Sequence, residues 1–302
     1  MRLDKHSYSR IFVIVLIVAL AFYSSVATAV PLPISKYVGQ WNFTIERSIR
    51  HPYAALDHYN AELTEHGSGP EYTVEISRHH VIPQATLRGF FRALIQNDHM
   101  HLLSSYFESL ASNMMWYLID NGAGCDVERW SEAGSMANAI STRVARPERL
   151  APTPPPAYHA LQQMMFWMPA NLFYGPTRRA DDPEWRFEYA AGNIVMPSQY
   201  DMLRETYSLM EDYINVPLVS TLSDINEYLT VLAGITQITA LASAAWILLP
   251  DKVTYSINPH YVAGTLAGLS RSQTAMSSNH TTCKGYAPIP RAAFIVPLLL
   301  ND

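Results

Sequence analysis

Between Glu71 and Leu94 the apolar pattern changes period across a single proline, and few local folds accommodate such a switch. Tyr72, Val74 and Ile76 alternate with Thr73, Glu75 and Ser77, the two-residue period of a half-buried strand. Beyond Pro83, Leu87, Phe90, Phe91 and Leu94 recur at the three- and four-residue spacing of one helical face, with Arg88 and Arg92 on another. Pro83 cannot donate to a strand ladder, so it closes the strand. The stretch predicts a strand that stops at His79-His80 and a helix that starts almost at once.

The string Arg78-His79-His80-Val81-Ile82-Pro83 resembles the opening motif of the His-Me finger nucleases, the HNH-type ββα-metal enzymes. In that motif a strand ends in Asp-His or His-His before two apolar residues and a proline. The resemblance implies His79 as first ligand of a divalent metal, Mg²⁺ or similar, and His80 as general base. Such chemistry needs a neutral imidazole to take a proton from water near pH 7, and a cation to stabilise charge on the scissile phosphate. Adjacent strand side chains point to opposite faces, so both rings can serve one centre only where the strand ends.

A second string, Met168 to Pro176 (MPANLFYGP), is similar to the family's returning strand. It implies Asn171 as the residue that orients the loop carrying the catalytic histidine. No histidine lies between Asn171 and His260, so Asp181 or Asp182 in the following TRRADDPEWR would stand as the last ligand, a carboxylate suited to Mg²⁺ or Ca²⁺. Paired histidines in a half-buried strand also serve as structural residues, and Asn-Leu-Phe before Gly-Pro is ordinary turn chemistry. Both readings stand at this point.

At the N-terminus, Arg2, Lys5 and Arg10 precede the apolar run Ile11 to Phe22, and Ala27-Thr28-Ala29 supplies small residues for cleavage. Residues 1–29 therefore read as a secretory signal peptide, the apolar core being shorter than the ~20 residues a spanning helix needs. Its removal takes three cations and one acid and moves the formal charge from −5 to −7. An acidic chain is a poor general polyanion binder. Nucleic acid contact would have to be local, with Arg88, Arg92, Arg178 and Arg179 as candidates.

Export gives meaning to three further features. Cys125 and Cys283 form no metal-binding pattern, and an oxidising compartment favours joining them as a disulfide. Asn42-Phe43-Thr44 and Asn279-His280-Thr281 are N-glycosylation sequons, which place Asn42 and Asn279 in exposed loops.

Elsewhere helical spacing dominates. A short helix is expected near Ala54 to Glu65, a long one over His99 to Leu118, and another over Ser198 to Tyr213. A proline-rich excursion near 146–156 favours extended geometry. Tyr228 to Leu249 has no charged residue and fits either a transmembrane helix or a buried core helix. Residues 30–302 are thus expected to form a single domain of α+β class, mainly helical, with a small antiparallel strand element carrying the His-His motif.

No repeat, phosphate-binding loop or nucleophile elbow is visible. The expectation is a secreted, metal-dependent nuclease-like protein whose partner is nucleic acid. A different class also fits, a noncatalytic secreted glycoprotein of an extracellular or mineralised matrix, with matrix components as partners; the 18 tyrosines and 20 prolines suit it. A third reading, a single-pass surface protein, follows only if 228–249 crosses a membrane.

Overall fold

The computed structural model describes residues 45–123, 126–142 and 156–264. The signal peptide, both sequons, both cysteines and nearly all of the proline-rich excursion lie outside the described residues. What is described is α+β and mainly helical, with short antiparallel strand pairs, as the periodicities require.

In chain order, β1 (His58–Tyr59) and β2 (His66–Gly67) pair as a small hairpin, and β3 (Ile76–His80) leads through Pro83 into α1 (Gln84–Gln96). A 3₁₀ turn at Met100–Leu103 opens α2 (Ser104–Asp120), followed by α3 (Val127–Ser141) and α4 (Pro156–Phe166). Then β4 (Leu172–Pro176) pairs antiparallel with β3. After α5 (Pro197–Asn215) and α6 (Val219–Ala233), β5 (Trp246–Leu248) and β6 (Tyr255–Ile257) form a last antiparallel pair.

The helices pack in a circuit: α1 on α5, α5 on α6, α6 on α2, α2 on α3, α3 on α4, and α4 back on α1. Aromatic rings fill its middle. Phe91 meets Phe166 and Tyr106, and Phe90 meets Tyr213 edge-on at 5.5 Å between centroids. The predicted stripe of α1, namely Leu87, Phe90, Phe91 and Leu94, is wholly buried, as are Tyr106, Leu110, Met114 and Tyr117 of α2. Burial of each such side chain contributes on the order of 1.5–3 kcal/mol, which is how short helices with indifferent caps are held.

Two expectations are corrected. Ala54 to Glu65 is not helical, because the Asn60 side chain accepts from the backbone N–H groups of Thr64 and Glu65 and closes the turn between β1 and β2. Asparagine here outcompetes the helical ladder. Nor is Tyr228 to Leu249 one helix: α6 ends at Ala233, and the β-branched run after Gly234 is extended. Asn121 fixes that run, donating to Thr236 O at 2.7 Å and accepting from Ile238 N at 3.0 Å. Thr239 then bridges to β4 on the edge opposite β3. No helix among the described residues is long and apolar enough to cross a membrane, so the spanning reading of 228–249 is withdrawn.

Candidate functional site

The strand pair β3–β4 sets the site. Its register puts His79 opposite Phe173 and His80 opposite Leu172, at the end where Asn171 enters β4. Asn171 is 2% exposed, and its side chain spans the gap to the loop after His80. Its Oδ1 accepts from Ile82 N at 2.7 Å and its Nδ2 donates to Ile82 O at 2.9 Å, while Asn171 O accepts from Val81 N. One buried amide thus satisfies both polar groups of Ile82 where the chain leaves the ladder. This geometry is that of a loop-orienting residue.

His80 Nε2 donates to Phe166 O at 3.0 Å, and its ring stands edge-on to Trp167. The carbonyl fixes the tautomer, so Nδ1 is the basic nitrogen. His79 Nε2 donates to Pro176 O at 3.1 Å, and its ring stacks on Phe173 and tilts against Trp246. Trp246 reaches this position because residue 175 is glycine: a Cβ there would lie 2.2 Å from the indole. Burial lowers the pKa of both rings to about 4, with Arg179 adding to the effect at His79 and Asp182 opposing it. Both imidazoles are neutral at pH 7.

The two aspartates part company. Asp181 is committed to structure, its Oδ1 accepting from Arg179 Nε at 3.1 Å and its Oδ2 from Ile257 N of β6 at 2.7 Å. Asp182 uses only Oδ1 locally, for Glu184 N, and its Oδ2 faces His79 Nδ1 at 3.9 Å. With the His79 proton on Nε2, two lone-pair donors confront each other across that gap. Cis ligands about 2.1 Å from an octahedral Mg²⁺ lie roughly 3 Å apart, so His79 Nδ1 and Asp182 Oδ2, at 3.9 Å, would have to approach each other to share one edge of such a site. No cluster of three or more His, Cys, Asp or Glu suited to a metal occurs among the described residues. Such an ion would complete its shell with water and substrate oxygens.

His79, His80 and Asp182 line one open cleft of about 260 Å³ together with Arg78, Arg179, Gln84, Glu188 and the turn Pro183 to Arg186. Arg179, one of the four arginines considered for nucleic acid contact, has a side chain only 1% exposed, and its Nη1 pairs with Glu188 Oε2 at 2.7 Å. Burial raises the Glu188 pKa, and Arg179 opposes the rise. The second guanidinium nitrogen of Arg179, Nη2, is buried and has no partner among the described residues, as is Nε of Arg78. Arg178 lines a different groove, and neither Arg88 nor Arg92 reaches the cleft. Glu188, Trp185 and Trp246 escaped sequence reading. The aromatic-charged alternation of Trp185 to Tyr189 signalled the first two, and nothing local signalled Trp246.

Over 152 residues the chain is 29% identical to protein p9 of Acyrthosiphon pisum secondary endosymbiont phage 1, covering 47% of this chain and 41% of the phage protein. The chain thus spans less than half the length of that relative. No family model matches, and no solved structure matches.

Proposed function

We propose that this cleft is a phosphodiester-cleaving centre, that the protein is a metal-dependent nuclease-like enzyme acting on nucleic acid, and that it works outside the cell after export. The observation that carries the reading is the convergence of His79, His80 and Asp182 on one cleft, beside a loop held by Asn171. These residues come from sequence positions about a hundred apart, joined by β3–β4 pairing. His80 would take a proton from the attacking water through Nδ1, being unprotonated at pH 7. Asn171 positions the loop that follows His80. Arg186, exposed on the cleft wall, offers N–H groups to phosphate oxygens, whereas the unpartnered Nη2 of Arg179 and Nε of Arg78 are buried. A divalent cation held by His79 and Asp182 would stabilise the charge developing on the phosphate. The cleft's three arginines face Asp182, Glu184 and Glu188, so without a cation it has little net attraction for a polyanion.

The noncatalytic reading draws on a specific observation too: each imidazole already bonds a backbone carbonyl, as a structural histidine would. One assay separates the two. Purified protein is incubated with single- and double-stranded DNA and RNA in Mg²⁺ or Mn²⁺, with an EDTA control and His80→Ala. The enzyme reading expects metal-dependent cleavage that falls ~10²- to 10⁴-fold in the variant. Absence of cleavage by the native chain on every substrate overturns it.

A further inference from the structure

Trp185 and Tyr189 are the two most exposed large hydrophobic side chains among the described residues, at 75% and 68%. Trp185 belongs to the wall of the cleft that holds His79 and His80. Its exposure is built in. Asp182 Oδ1 accepts from Glu184 N, Arg186 N donates to Pro183 O, and Glu184 sits at φ 57, a left-handed conformation that residues with a Cβ seldom adopt. This turn presents the indole outward rather than into the core. Tyr189 stands edge-on against buried Phe187 at 5.0 Å, which steadies its ring, and its backbone carbonyl accepts from Tyr200 Oη. Between the two, Arg186 is exposed and lines the cleft.

Resting on the nuclease-like reading, we propose that Trp185, aided by Tyr189, is a base-stacking platform that makes the cleft select single-stranded nucleic acid. The exposed, charged Arg186 lies between the two residues in the chain, and Phe187 beside it is buried, which breaks up any continuous apolar patch of the kind a lipid surface or partner helix needs. Flat aromatic faces beside the exposed Arg186 and a cleft of about 260 Å³ match a splayed strand, whose bases have free π-faces. In a duplex those faces are covered by neighbouring base pairs, and a protruding indole finds nothing to stack on.

The test uses the full chain in EDTA, so that binding is read without metal-dependent cleavage. Probes are a fluorescent twelve-nucleotide thymidine strand, an abasic strand of equal charge, and a blunt duplex. Stacking contributes about 1–3 kcal/mol per base, so Trp185→Ala is expected to weaken single-strand binding about 5- to 150-fold. Trp185→Phe should retain most of the affinity, the abasic strand should bind the native chain as weakly as thymidine binds Trp185→Ala, and duplex binding should not change. Equal affinity of Trp185→Ala and the native chain for the thymidine strand overturns the proposal, as does an equal loss on duplex. If the native chain cleaves but Trp185→Ala binds normally, the platform falls and the nuclease reading stands. If Trp185-dependent binding occurs without cleavage in Mg²⁺ or Mn²⁺, the chemistry falls and the platform stands. If the native chain binds neither strand, the platform falls, and cleavage in Mg²⁺ or Mn²⁺ alone decides the nuclease reading.

Discussion

Asn171 and Ile82, eighty-nine positions apart, are joined by a reciprocal pair of hydrogen bonds that leaves neither backbone group of Ile82 unsatisfied. The pair lies where β3 has ended and α1 has not begun, so no ladder can serve those groups. It ties the loop following His80 to the residue immediately before β4.

Asn171→Ala removes both partners at once. Each orphaned buried group costs about 1–3 kcal/mol, so a loss on the order of 2–5 kcal/mol is expected. Asn171→Asp should also destabilise, because a carboxylate accepts from Ile82 N but places a second acceptor against Ile82 O. Urea denaturation reads the loss, and hydrogen exchange at Val81 and Ile82 localises it. Unchanged protection in Asn171→Ala would show that the clamp does not hold the loop.

Arg179 and Glu188 make the second dependency. Arg179→Met leaves a buried carboxylate without its cation, and breaking such a pair costs about 3–5 kcal/mol. Adding Glu188→Leu should recover much of that, since the stranded charge is then gone. A double-mutant cycle in urea measures the coupling. Strict additivity would mean that the pair does not interact as its 2.7 Å separation requires.

The buried imidazoles also set a pH dependence. Both have folded pKa values lowered to about 4 from 6.5, so between those values the unfolded chain binds more protons than the folded one. Stability is complete above pH 6.5 and falls as pH drops toward 4, each ring removing about 1.4 kcal/mol for every pH unit crossed. Subtracting the profile of a His79→Gln, His80→Gln double variant isolates the two rings from the carboxylates. Parallel profiles over pH 7 to 4.5 would refute the assignment.

Much of this was legible locally. The change of period at Pro83, the apolar faces of α1, α2 and α5, and the His-His string at a strand end all depend on neighbours within a few residues, where steric and hydrophobic patterning acts. The candidate histidines and Asn171 were legible as types in a pattern. Their convergence was not, since it depends on the β3–β4 register.

Other choices were open until distant partners closed them. Asp181 and Asp182 are adjacent and chemically identical; Ile257 N and Arg179 take the first, leaving the second to face His79. Tyr228 to Leu249 has the apolar content of a long helix, yet Asn121 and the free edge of β4 bind its middle in extended form. Arg179 looked like a surface cation, yet its side chain is buried, with Asp181 taking its Nε and Glu188 its Nη1. Local patterning was enough to place α1, α2 and α5, the strand at His79-His80 and the residue types able to do chemistry, but not α3, α4 or the bounds of α6. Which of them meet was settled only by the packed fold, because hydrogen bonds and ion pairs between distant segments have no local signature.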